Sequence, residues 1–163
     1  MQATKDTFYI TLRDRLVQAD PNLKIVIDGA TRPAIVVVEN EPPSSLPRQN
    51  GAFYLEWGSA RAVQPATSTL EAMECAITYT TAGDPESGGV GRGRALGALD
   101  ADLLAMCTPA QAHKSDYSTG SPVDLCSYIF WSAPEFKPAK VEPTQVGRQA
   151  VVTVFFYPEV NQQ

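Results

Sequence analysis

Several things are scarce in this chain of 163 residues, and each scarcity removes a class of function. Histidine occurs once, at His113, so no histidine cluster can hold a metal. Cysteine occurs three times, at Cys75, Cys107 and Cys126, with no C-x-x-C pair, which removes the short-spaced zinc and dithiol motifs. Each cysteine sits in an apolar-looking run, so all three are expected as buried small hydrophobes in a reducing compartment. No apolar run approaches the roughly 18 residues of a membrane span. The opening "MQATKDTFYI" lacks the positive stretch and apolar run of a secretory leader, so neither a leader nor a membrane is expected. A basic stripe is also missing. Lys and Arg number 13 against 18 Asp and Glu, for a net charge of −5. Without cations to neutralise phosphates, broad nucleic-acid binding is not expected. The only local basic cluster is Arg92 with Arg94.

What is present is enough for a core. Hydrophobic residues make up 44%, and a chain of this length typically buries about 68–70% of its unfolded surface. One domain over residues 1–163 is expected. Thirteen prolines and eleven glycines imply long punctuated loops, with insertions at about 41–51, 83–92 and 108–147.

In "KDTFYITLRDRLVQADP", Phe8, Leu12 and Leu16 recur at helical spacing, which predicts a helix over 5–19 ended by Asp20-Pro21. The period then changes. "LKIVID" (23–28) and "AIVVVEN" (34–40) read as two strands joined through a turn at "GATRP". "AFYLEW" (52–57) follows, with Phe53, Leu55 and Trp57 on one face, and residues 58–69 read as loop. "EAMECAITYTT" (71–81) alternates, placing Met73, Cys75, Ile77 and Tyr79 on one side. Leu96, Leu99, Leu103 and Leu104 predict a second helix over 93–107. Residues 108–122 read as polar loop, 124–131 as a short strand, and 132–147 as a Pro-punctuated linker or extended arm.

The final run, "RQAVVTVFFYP" (148–158), is the strongest strand signal in the chain. Val152, Val154 and Phe156 face one way; Val151, Phe155 and Tyr157 face the other. Apolar residues on both faces mean that both sides of the sheet want cover. Two helices share one side, so an inserted loop or another subunit must cover the other. The class is α+β: a mixed, mainly antiparallel β-sheet with two helices packed on one face.

None of the candidate motifs carries catalysis. "GRGRALG" gives G-x-G-x-x-x-G from Gly91 to Gly97, one residue out of step with the dinucleotide fingerprint, and lacks a P-loop ending. A small nucleotide-binding enzyme using the Gly88–Gly97 loop is the rival reading. A hinge or arm offering Arg92 and Arg94 to a partner is preferred. His113, Ser115 and Asp116 are too close along one loop to converge on one substrate atom. Cys107 continues the rhythm of the second helix and belongs to the core. Asp100 and Asp102 point to different sides of that helix and are expected to be solvated. No catalytic, cofactor-binding or metal-ligating residue is singled out, and no cofactor is expected. Val151, Phe155 and Tyr157 are the candidates for a subunit interface.

In segment character the chain resembles the tail-terminator, or tail-completion, proteins of long-tailed bacteriophages, and more loosely the head–tail joining proteins. The suggestive phrases are "RPAIVVVENE" (32–41) and "AVVTVFFYPE" (150–159), with the N-terminal helix before them and the late helix between. The resemblance covers most of residues 5–158. It departs in the long loop at 41–51 and in the 108–147 region. It implies a structural virion protein, not an enzyme: a ring, hexameric in this family, on the end of the tail tube. Its partners would be further copies of itself, the tail tube protein and a head-completion or connector protein, with genomic DNA passing through the lumen without sequence-specific binding. The implied location is the virion tail or neck, reached from the host cytoplasm. A head-completion or other neck component is the alternative within the same class.

Overall fold

The computed structural model describes residues 1–42, 48–63, 69–83 and 90–158. Phe8, Leu12 and Leu16 recur along an 18-residue helix, α1 (Gln2–Ala19), and all three are fully buried. The helix stops where proline forbids its continuation. Asp20 turns out of the α region at φ −140°, its N–H still donating to the Leu16 carbonyl (2.8 Å).

Next comes a small hairpin, β1 (Lys24–Ile27) with β2 (Ala30–Pro33). Its turn is not at "GATRP", as expected, but one step earlier, at Asp28-Gly29. Both residues have positive φ (49° and 78°), the conformation a two-residue hairpin turn demands and Asp-Gly supplies. Most of the expected turn is therefore the second strand of the hairpin. The apolar run after it is a separate strand, β3 (Ile35–Val37), which joins the main sheet parallel to β4 (Phe53–Trp57).

The main sheet continues with β5 (Arg61–Ala62), β6 (Glu71–Thr81), β7 (Gln111–Asp116), β8 (Val123–Trp131), β9 (Glu135–Phe136), β10 (Lys140–Val141) and β11 (Val146–Phe156). The spatial order is β3-β4-β6-β11-β8-β7, with β5 beside β6 and both β9 and β10 beside β11. Every pairing but β3–β4 is antiparallel. Three expected loops thus contain strand, the 58–69 loop carrying β5 against β6. Residues 111–116 pair with β8, and the proline-punctuated 132–147 segment runs along β11 in two short pieces instead of lying free as an arm. Pro134, Pro138 and Pro143 fall outside those pieces, where no ladder N–H is needed.

The second helix, α2 (Val90–Met106), begins three residues before the expected start. It shares the inner face of the sheet with α1. Leu96, Leu99 and Leu103 meet Phe8, Leu12, Met73, Ile77 and Val152 in one buried cluster. Phe8 sits edge-on between Trp57 and Trp131, with ring centroids 5.5 and 5.4 Å away. Arg15 of α1 closes the end of α2. Its guanidinium donates to the carbonyls of Met106 (3.0 Å) and Thr108 (2.7 Å) while lying 5.2 Å from the Trp131 ring. The result is an α+β fold with a mixed, mainly antiparallel sheet and two helices on one face.

The β1–β2 hairpin covers the opposite, outer face at one end. Ile25 and Ile27 bury against Val36 and Tyr54, which point away from the helices. Gln49 pins this corner, its backbone N–H donating to the Tyr54 hydroxyl (2.6 Å) and its amide to the Val26 carbonyl (2.7 Å).

Because Phe8 fills the space between two indoles, Phe8→Ala is expected to lower unfolding stability by about 3–5 kcal/mol. Urea denaturation of the two proteins measures it.

Candidate functional site

The alternation along β11 divides its side chains cleanly. Ala150, Val152, Val154 and Phe156 are buried beneath the helices, while Val151, Thr153 and Phe155 turn outward. On β6 the outward partners are Ala72 opposite Phe155, Glu74 opposite Thr153 and Ala76 opposite Val151. On β8, Phe130 lies opposite Phe155 and stacks on it, with ring centroids 5.1 Å apart and planes 11° from parallel. Phe130 keeps 37% of its surface exposed and Tyr157 keeps 49%. Phe130, Val151 and Phe155 belong to neither buried cluster.

Beside Phe155 the sheet surface dips into a concavity of about 370 Å³, lined by Arg61, Ala62, Val63, Ala72, Thr153 and Phe155. The interface candidates Val151 and Phe155 therefore share the outer face, both half-buried, with Thr153 between them. Tyr157 follows just past the end of β11. Its carbonyl is held by the buried Lys114 ammonium (2.6 Å), which fixes where the chain leaves the sheet. Phe130 and the concavity were not singled out from the sequence. Their signal is positional, because only the β8–β11 register brings Phe130 over Phe155.

The two arginines expected on a shared arm are separated. Gly91, Gly93 and Gly97 lie within α2, and Gly91 is buried; Gly88 and Gly89 lie outside the described residues. Arg92 donates to the carbonyls of Glu142 (3.2 Å) and Pro143 (2.9 Å), tying the start of α2 to the β10–β11 turn. Gly83 makes this approach tolerable. It has φ +65°, and a Cβ there would stand 2.6 Å from the Arg92 Cα. Arg94, two residues on, is exposed on the solvent side of the helix.

Asp100 is not a solvated carboxylate, as expected, but the centre of a brace. The Tyr79 hydroxyl donates to it at 2.5 Å and the Arg148 guanidinium at 3.1 Å, and Arg148 also donates to the Lys137 carbonyl (2.8 Å). The brace ties α2 to β6 and β11. Burial, and then the Asp100 carboxylate, push the Tyr79 phenol well above its ordinary range. Asp102 points elsewhere, its carboxyl raised by desolvation and by the Asp20 carboxylate.

His113 lies on β7 rather than in a loop, exposed, its ring 4.4 Å from Tyr128 and its Nδ1 3.4 Å from the Asp124 carboxylate. Ser115 instead bonds Thr7 of α1, and Asp116 accepts from the Ser118 N–H, so the three do not converge. Cys75 and Cys107 are buried as expected, and Cys126 is not. It is exposed at φ 53°, its N–H donating to the Asp124 carboxylate (2.8 Å). The positive φ lifts Cys126 out of the ladder, which the apolar neighbours in sequence do not disclose. Among the described residues no group of three or more His, Cys, Asp or Glu side chains is placed to share a metal ion, and no helix is long and apolar enough to cross a membrane.

Comparison with known proteins adds no relative: the chain matches no protein-family model and no curated protein.

Burial raises both core thiols, that of Cys107 to about 12. Below the ordinary value of 9.0 folded and unfolded chains are equally protonated at these thiols. Above it the unfolded chain releases protons that the folded chain retains. Stability from these groups is therefore whole below about pH 9 and declines as pH rises toward 12. At pH 8 a thiol reagent such as DTNB is expected to titrate one cysteine in the native protein and three in denaturant. Two or three fast native thiols would contradict the assignment of Cys126 as the exposed one.

Proposed function

We propose that this chain is a structural virion protein that closes into a ring, hexameric by the resemblance, at the end of a phage tail tube. There it stops tube growth and offers the surface to which the head joins. The observation that carries the reading is the open apolar strip of Phe130, Val151 and Phe155. In a lone copy Phe130 stays exposed and Val151 and Phe155 are only half-buried, although the same strand is fully buried on its other side. Outward apolar side chains gathered on a sheet, here with Thr153 between Val151 and Phe155, suit a surface that another protein covers. A point-group ring hides such a surface on every copy without open-ended growth.

Charge suits the same reading. A net charge of −5 gives DNA no broad cationic surface to adhere to while it passes through a lumen. The site geometry adds nothing enzymatic to weigh against it: His113, Ser115 and Asp116 are dispersed, and Asp100 is committed to its brace. The virion tail or neck, reached from the host cytoplasm, is the location that follows.

Light scattering and negative-stain imaging test this directly. The purified protein is expected to form rings, alone or on tail-tube ends. Val151→Lys and Phe155→Asp are expected to keep the wild-type circular dichroism while weakening assembly by at least about tenfold, since each places a charge in the strip. A wild-type protein that stays monomeric and ignores tube ends would sink the reading.

A further inference from the structure

Among the described residues, two faces on opposite sides of this one chain are left without cover. The first is the outer sheet strip. The second is the solvent side of α2. Leu96, Leu99, Leu103 and Met106 turn toward the core; the exposed residues of the helix are Val90, Gly93, Arg94, Gly97, Ala98, Ala101, Leu104 and Ala105. At 100° per residue these eight form one continuous stripe, and only Arg94 is charged. A solvated helix face is ordinarily rich in charge. Val90 and Leu104, at opposite ends of the stripe, are 53% and 52% exposed.

Among the described residues nothing demands glycine at two positions of this stripe. A Cβ added at Gly93 or Gly97 would meet no atom within 4 Å. A helix face this shallow between two larger apolar ends fits closely onto a flat sheet, and the outer sheet face has room for a protruding side chain in the concavity beside Phe155.

The charges match as well. Arg94 is the one cation of the helix face. The apolar strip is flanked by two exposed carboxylates, Glu74 opposite Thr153 and Glu135 opposite Val151. Their own ion pairs are at the surface, Glu74 with Arg61 at 3.4 Å and Glu135 with Lys137 at 2.6 Å, where such pairs are weak and readily exchanged.

The geometry points to a head-to-tail contact in which the exposed face of α2 on one copy seats on the outer β6–β11–β8 face of the next, with Arg94 against Glu74 and Glu135. The inference rests on the ring reading and names the two surfaces that make the ring. It gives the sheet helices on both faces, the cover that a strand apolar on both sides requires. Because the two surfaces differ, the contact repeats from copy to copy instead of ending at a dimer.

Cysteine trapping tests it in the full chain. In a Cys126→Ser background, which removes the exposed native thiol, Ala98→Cys or Ala101→Cys is combined with Ala76→Cys or Thr153→Cys. The pairs are treated with a short bismaleimide. At least one pair is expected to give a ladder of dimer, trimer and higher bands on a denaturing gel, and either cysteine alone no ladder. Arg94→Glu is expected to weaken assembly by at least about tenfold, with Glu74→Arg in the same chain restoring most of the loss. Rings visible by light scattering with no ladder from any pair overturn this contact and leave the ring standing. A dimer band from one cysteine alone shows a two-fold contact and overturns it too. Absence of any assembled species removes both.

Discussion

The pleat of β11 is the constraint on which the rest of the structure depends. A strand side chain has only two directions to point, and this strand places bulky apolar groups in both. Its inner set is fully served by the two helices. Ala150, Val152, Val154 and Phe156 seal the centre of the core, with Leu103 above them and Met73 and Ile77 on the neighbouring strand. That arrangement fixes which side of the sheet faces outward, so Val151 and Phe155 have no route to the core without a register slip that would expose the other four. The open strip is thus a direct consequence of the way the core is satisfied.

The chain does provide cover for part of its outer face. The β1–β2 hairpin spends Ile25 and Ile27 on Val36 and Tyr54, at the far end of the sheet from Phe130. The same device could in principle extend across β11, yet the segments nearest β11, β9 and β10, lie beside it as edge pairings and contribute Glu135 and Lys140 rather than an apolar lid. The acidic and basic groups around the strip frame it without filling it, which is how the rim of an interface differs from its centre.

How much of this was legible in the sequence follows from the range of the forces involved. The periodic segments α1, β6 and β11 were legible, because burial of one stripe or one face repeats locally. The class and the division of β11 into two apolar sets were legible for the same reason. The Asp28-Gly29 turn carried a local signal that competed with "GATRP", and the steric demand for two positive φ angles decided it. The strand at 111–116 had no such signal. "QAHKSD" is polar and forms a strand because β8 supplies a ladder and α1 supplies Thr7, contacts made only after folding. Cys126 and Asp100 were misjudged for the same reason. The exposure of one goes with its positive φ and an irregular β7–β8 register beside it, and the brace around the other is set by an arginine 48 residues away.

Closure of a ring requires more than two matching surfaces; it requires a fixed angle between them, since a small error per copy opens the ring into a helix. Here the helix that would carry one surface is fastened at two points to the sheet that would carry the other, and at a third to α1. Arg92 holds the start of α2 to the β10–β11 turn, Asp100 joins its middle to Tyr79 and Arg148, and Arg15 closes its end against α1. Each fastening uses a charged group with a directional hydrogen bond, where apolar contact alone would let the helix slide or roll. Arg92 and Asp100 of α2 are therefore spent on orientation, and Arg94, whose guanidinium takes no part in these fastenings, is left on the surface where a neighbour would meet it.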